Sequence, residues 1–177
     1  SYVPVTAYET FDFGAHHPDM IFIHNPYDNC NLVTSIHPFF YSEKLKKVTD
    51  RLIYIPYFVL DERDLADDAD IEGMKHYCLT PAVFHADKVV VQSENMRKVY
   101  IKVLTETFGE ESRSGWEEKI LGLGSPKIDK AVNTRKEDLD IPDEWMEIIQ
   151  KPDGTWKKII FYNTSIGSLL TSKEKML

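Results

Sequence analysis

Histidine, carboxylate, hydroxyl and aromatic side chains collect in short stretches that each follow an apolar run. His24-Asn25-Pro26-Tyr27-Asp28 follows Met20-Ile21-Phe22-Ile23, and Pro56-Tyr57-Phe58 follows Arg51-Leu52-Ile53-Tyr54-Ile55. Gln92-Ser93-Glu94-Asn95 follows Lys88-Val89-Val90-Val91. Gly124-Ser125-Pro126-Lys127-Ile128-Asp129 follows Lys119-Ile120-Leu121-Gly122-Leu123, and Asn163-Thr164-Ser165 follows Lys158-Ile159-Ile160-Phe161-Tyr162. A histidine in such a place suits general-base work, because imidazole titrates near neutrality and accepts a proton from a hydroxyl. His24 is the first candidate, with Asp28 to orient it. His37, in the hydroxyl-rich Thr34-Ser35-Ile36-His37-Pro38, is the second. Tyr27 and Tyr57 each sit in a Pro-Tyr step and offer aromatic faces to a sugar or base. Asn25, Ser93, Ser125, Lys127 and Asp129 complete the substrate-binding candidates. Ser93 in particular opens a helix whose first N–H groups can hold a phosphate.

Other chemistries find less support. Neither Ser93 nor Ser125 lies in Gly-x-Ser-x-Gly, so no hydrolase nucleophile is expected. No Gly-x-Gly-x-x-Gly and no Walker A sequence occurs; Gly122-Leu123-Gly124 comes nearest but lacks the third glycine and the following helix. His16, His24 and His37 match no zinc spacing, and the adjacent His16-His17 pair cannot face one ion from one helix face. The regular calcium-loop pattern is absent as well. No metal or cofactor is therefore assigned. His85 falls near an apolar helical stripe and reads as a core histidine.

The elements that must position these residues alternate. The five apolar runs are short, rich in β-branched and aromatic residues, and bounded by Pro, Asn, Ser or Gly. They read as strands of a parallel sheet buried on both faces. Between them lie helical patterns. Ser93 is a good N-cap, Met96, Val99, Tyr100, Val103, Leu104 and Phe108 repeat at three- and four-residue steps, and Gly109 closes the pattern. A second helix is expected from near Asp70 with Ile71, Met74 and Cys78 on one face, ended or kinked by Pro81. A short third runs from Asp143 to Gln150. The expected fold is α/β, a Rossmann-like, doubly wound, mostly parallel sheet, in which ligands bind beyond the carboxyl ends of the strands. Residues 1–132 form the main domain, 133–157 a polar linker with one short helix, and 158–177 either the last βα unit or the start of a second domain.

Composition bounds the partners. The 177 residues are 42% hydrophobic and 12% aromatic, enough for one core. The formal net charge of -8 argues against nucleic acid, whose binders neutralise phosphates with an excess of Lys and Arg. Charge is uneven. Lys44 is the first base in the chain, and residues 61–72 place seven acids around Arg63, which reads as a solvated loop or helix start. Cys30 and Cys78 make no disulfide framework and suit reduced thiols in the cytoplasm. No apolar stretch approaches a membrane span, and the start, Ser1-Tyr2-Val3-Pro4, has no signal-peptide character.

Three segments in order resemble one family. Ala86-Asp87-Lys88-Val89-Val90-Val91-Gln92-Ser93 is similar to the Asp-x-hydrophobic-x-x-Ser segment of CDP-glycerol glycerophosphotransferases, the teichoic acid primases and polymerases. Gly124-Ser125-Pro126-Lys127-Ile128-Asp129 is similar to their Gly-x-Pro-Arg-x-Asp step. Lys158 to Ser165 looks like the strand that opens their second domain. The resemblance spans about residues 19–168. It implies the N-terminal, acceptor-side half of a GT-B fold. A CDP-linked donor would be held by a second domain that this chain largely lacks, and a polyol or sugar hydroxyl would be the acceptor. Peripheral association of the whole protein with the inner membrane face also follows from it. The family's Trp-His-Gly step has no counterpart. Its place reads Tyr54-Ile55-Pro56-Tyr57-Phe58-Val59, so a base must come from His24 or His37, or catalysis is lost and the domain is a binding or regulatory module.

Overall fold

A computed structural model describes residues 4–160. Its contacts divide the chain into two units, Ser1–Asn133 and Thr134–Leu177. The first holds four strands, β1 Met20–Ile23, β2 Arg51–Tyr54, β3 Lys88–Val90 and β4 Ile120–Leu121. They pair in parallel in the order β1-β2-β3-β4. The helices of this unit are α1 Phe13–His16, α2 Ser42–Leu45, α3 Asp68–Cys78, α4 Pro81–His85, α5 Glu94–Phe108, α6 Arg113–Lys119 and α7 Pro126–Asn133. The result is an α/β fold, a four-stranded all-parallel sheet flanked by helices in a Rossmann-like arrangement.

Period-two alternation sorts the strand residues. Leu52, Tyr54, Val89 and Ile120 are buried, and α5 adds Met96, Val99, Tyr100, Val103 and Leu104 while α3 adds Ile71, Met74 and Cys78 to the same core. On the opposite face Ile53, Val90 and Leu121 are half-buried, but the edge strand β1 is open. Met20 and Phe22 are 48% and 56% exposed, and Arg51 is exposed beside them. The exposure is confined to β1 and its neighbour Arg51, the open edge of a sheet that helices flank.

Local chemistry explains the boundaries. The Ser93 hydroxyl accepts from Met96 N–H at 3.0 Å and starts α5; the helix ends at Gly109, whose φ is +95°. Phe108, expected in the core, is 47% exposed and instead meets the rings of Phe84 and Trp116. Asp67 caps α3 by accepting from the amides of Ala69 and Asp70. Pro81 does not kink that helix. It is the first residue of α4, where the N–H would have no partner within the helix.

The base-free N-terminal segment is an aromatic cluster. The rings of Tyr8, Phe13, Phe39 and Phe40 meet at centroid distances of 5.2–6.4 Å. In the second unit, α8 Asp143–Ile149 leads to a turn closed by an antiparallel bridge between Gln150 and Trp156. Residues 158–160 carry no strand pairing, and the remainder of the expected strand and helix from Phe161 onward lies outside the described residues.

Candidate functional site at the carboxyl ends of the strands

The residues that follow the strands form two neighbourhoods. The first surrounds His24, one residue beyond β1. Parallel pairing continues past the strand, with Ile55 N–H donating to Ile23 O at 2.9 Å, and this brings the Ile55 carbonyl against the His24 ring. His24 Nδ1 lies 3.1 Å from that carbonyl. A carbonyl only accepts, so Nδ1 carries the proton and Nε2 is left with its lone pair. The side chain is exposed and lines an open groove of about 360 Å3 with Phe13, Ile36, Phe40 and Leu45. This is the tautomer a general base requires.

Asp28 does not orient His24. It is 4% exposed, its φ is +48°, and its carboxylate accepts from Ser42 N–H at 2.9 Å and from Ser42 Oγ at 2.7 Å. The same Oγ lies 2.8 Å from His85 Nδ1. Because the hydroxyl proton is given to Asp28, His85 Nδ1–H must donate to Oγ. Aspartate, serine and histidine thus meet, but with the serine between the other two and fully buried. That order cannot deprotonate serine through histidine, and the cluster is structural. It pins the loop after β1 to α2 and α4. Asn25 serves the same loop, accepting from Tyr27 N–H at 2.9 Å and donating to Thr34 O at 2.7 Å.

His37 is placed otherwise. Its Nδ1 accepts from Phe39 N–H at 3.3 Å, which leaves the proton on Nε2, and its ring packs on Tyr8 at 5.2 Å. His37 therefore presents a donor outward and caps a turn. His16 stacks on Phe11 and bonds Asp12 O, so His16, His24 and His37 each have separate local partners. Among the described residues no group of three His, Cys, Asp or Glu side chains is placed to hold a metal ion.

The second neighbourhood lies beyond β3 and β4. Tyr27, Tyr54, Tyr57, Tyr77 and Tyr100 cluster near it. Burial raises the Tyr27 phenol above its ordinary range, and the neighbouring Tyr57, within hydrogen-bonding reach, adds to that. Burial likewise pushes up Tyr54, Tyr100 and the Cys78 thiol. Ser125, 8% exposed, precedes α7; its carbonyl accepts from the amides of Ile128 and Asp129. Lys127 and Asp129 are exposed on the first turn of that helix. Ser125, Gly124, Gln92 and Tyr100 line a small recess of about 10 Å3 together with Pro56, Phe58 and Leu60.

Here sequence reasoning missed a residue. Glu62 lies in the acidic run, yet its carboxylate reaches the start of α5. It accepts from Ser93 Oγ at 2.8 and 3.0 Å, from Gln92 Nε2 at 3.0 Å and from Asn95 Nδ2 at 2.9 Å. Burial alone would raise its pKa, but these donors outweigh that and hold the carboxyl below its ordinary range. The other acids with a contact stay local: Asp64 accepts from Ala66, Asp67 caps α3, Asp70 pairs with Arg63, and Glu72 pairs with Lys75.

Comparison with protein-family models, with curated proteins and with solved structures finds no match. No helix among the described residues is long and apolar enough to cross a membrane.

Proposed function

We propose that this chain is the acceptor-side domain of a transferase like the CDP-glycerol glycerophosphotransferases, working in the synthesis of a cell-wall or surface polymer. A hydroxyl of a polyol or sugar acceptor lies in the groove beside His24. Its oxygen attacks the β-phosphorus of a CDP-linked donor, whose nucleotide a second domain holds. The new oxygen–phosphorus bond forms as the bond to CMP breaks, and the hydroxyl proton passes to His24 Nε2. The donor and acceptor identities rest on the order of the three sequence segments. The base rests on one observation: the Ile55 carbonyl fixes the proton of His24 on Nδ1 and leaves Nε2 open at the strand end.

His24 thereby takes the place of the histidine that the segment Tyr54–Val59 lacks. A non-catalytic binding module is the second reading, and that same lack favours it. Transfer from CDP-glycerol to a polyol acceptor separates the two, measured in the protein that joins this domain to a donor domain. The transferase reading expects turnover that falls in His24→Ala and survives in His37→Ala. Turnover indifferent to both variants overturns the assignment of a histidine base to this domain.

A further inference from the structure

The amino ends of the strands, opposite to the end that holds His24 and Ser93, gather cations around one carboxylate. Asp87 precedes β3. Its oxygens accept from Lys46 Nζ at 2.8 and 2.7 Å, and one of them also accepts from Leu52 N–H at 2.7 Å. Arg51, the first residue of β2, acts on the same carboxylate and helps to hold it ionised. Lys119, the last residue of α6 before β4, is the third base near Asp87, and Lys46 neighbours it as well. Three bases therefore meet one acid. Glu118, 85% exposed, lies 3.7 Å from Lys88 instead. A local surplus of positive charge favours an added anion.

Lys119 differs from the other two bases in its surroundings. Its Nζ donates to Phe84 O at 2.7 Å, a carbonyl in the last turn of α4, and lies 5.6 Å from the centre of the Trp116 ring. Phe108 packs on Trp116 at 5.9 Å and on Phe84 at 5.7 Å, so the amine rests against a cluster of aromatic rings. The carboxylate that acts on it, Asp87, is already paired with Lys46. Burial lowers the amine to about 8 although Asp87 opposes the shift. About a fifth of it is then neutral at pH 7.4, against about one part in a thousand of an ordinary lysine.

We propose that Lys119 is a site for carbon dioxide, taken up reversibly on Nζ as a carbamate that balances the surplus of positive charge around Asp87. The lone pair of the uncharged amine forms the N–C bond, one C=O electron pair withdraws to oxygen, and one amine proton leaves to water. The product is a monoanion that retains a single N–H. That N–H keeps the hydrogen bond to Phe84 O, so the tie between α6 and α4 survives the reaction. Lys46 and Arg51 then face two anions, Asp87 and the carbamate, in place of one. The aromatic rings offer no hydrogen bond that the uncharged gas would have to displace. The site requires neither a nucleotide-linked donor nor turnover and lies at the other end of the sheet from His24, so it goes beyond the transferase reading.

The test is chemical trapping on the folded 177-residue chain. The protein is equilibrated with carbon-13 bicarbonate at about pH 8, carbamates are fixed by O-ethylation with triethyloxonium, and the modified lysines are located by peptide mass spectrometry. Carbon-13 NMR before trapping measures the occupancy. Lys119 is expected to be modified about tenfold more than the exposed Lys44, Lys98 and Lys127, and the preference should vanish in urea. Lys119→Arg keeps a charge and a donor for Phe84 O but should lose the carbamate signal. Lys46→Gln, with its fold checked by circular dichroism, should lower the occupancy severalfold. A Lys119 yield no greater than that of the exposed lysines overturns the site, and so does a signal that survives in Lys119→Arg. Unchanged occupancy in folded Lys46→Gln overturns the part given to the charge cluster. The wild-type map needs no variant to fold. Failure here leaves the His24 transfer reading intact, because no transfer is measured.

Discussion

Replacing Ser42 with alanine tests the assignment of the Asp28–Ser42–His85 cluster to structure. Ser42 is fully buried, and its hydroxyl makes two hydrogen bonds, one given to Asp28 and one taken from His85. The first involves a carboxylate and is worth about 1.5–3 kcal/mol; the second adds about 0.5–1.5 kcal/mol. Asp28 keeps only the Ser42 backbone amide and remains buried. The expected loss is about 3 kcal/mol, a fall of roughly 10 °C in Tm for a domain of this size. Urea unfolding followed by circular dichroism measures it, with the exposed Ser35→Ala as a control expected to change stability by less than about 0.5 kcal/mol. A Ser42→Ala variant as stable as that control would refute the reasoning. Loss of transfer activity with stability unchanged would refute it too, since that outcome belongs to a nucleophile.

Two further predictions follow from close contacts. A Cβ on Gly122 would stand 2.6 Å from Ser93 O and 2.8 Å from the Glu94 backbone, so Gly122→Ala should cost about 1–3 kcal/mol in the same unfolding assay and disturb the α5 N-terminal amides; a neutral result would show that β4 and α5 are not in contact there. Burial lowers Lys119 from its ordinary 10.5 to about 8, with the neighbouring Asp87 opposing that shift and Lys46 adding to it. Its folded value lies below its unfolded one, so the unfolded chain binds more protons between about pH 8 and 10.5. Stability from this group therefore rises across that window and is flat below it. Lys119→Met should remove that rise in stability curves measured at stepped pH, and an unchanged slope would contradict it.

The strands were legible because β-branched runs bounded by Pro, Asn and Ser leave the backbone few alternatives. The α3 and α5 stripes were legible because burial repeats at helical spacing, with Ile71, Met74 and Cys78 all on the core. What sequence could not show is which partner a polar side chain finds at a distance. Asp28 sits four residues from His24, yet its left-handed backbone turns it toward Ser42, fourteen residues away. Glu62 has the same composition around it as Asp61 or Asp64. Only the crossover from β2 to β3 and the packing of α5 bring it to Ser93 and Asn95. The open sheet edge escaped for a related reason. Phe22 and Met20 are apolar whichever face they take, so residue type alone does not report what covers them.

The measurement that bears most directly on the proposed transferase reading is single-turnover transfer of glycerol phosphate from CDP-glycerol to a polyol acceptor, by a protein that joins this domain to the donor domain that reading calls for. With His24 Nε2 as the base, His24→Ala slows the chemical step by about 10²–10⁴-fold. His37, whose Nδ1 is occupied by the Phe39 amide, can be replaced by alanine with a change of about twofold or less. A His24→Ala protein that transfers at the wild-type rate contradicts the account.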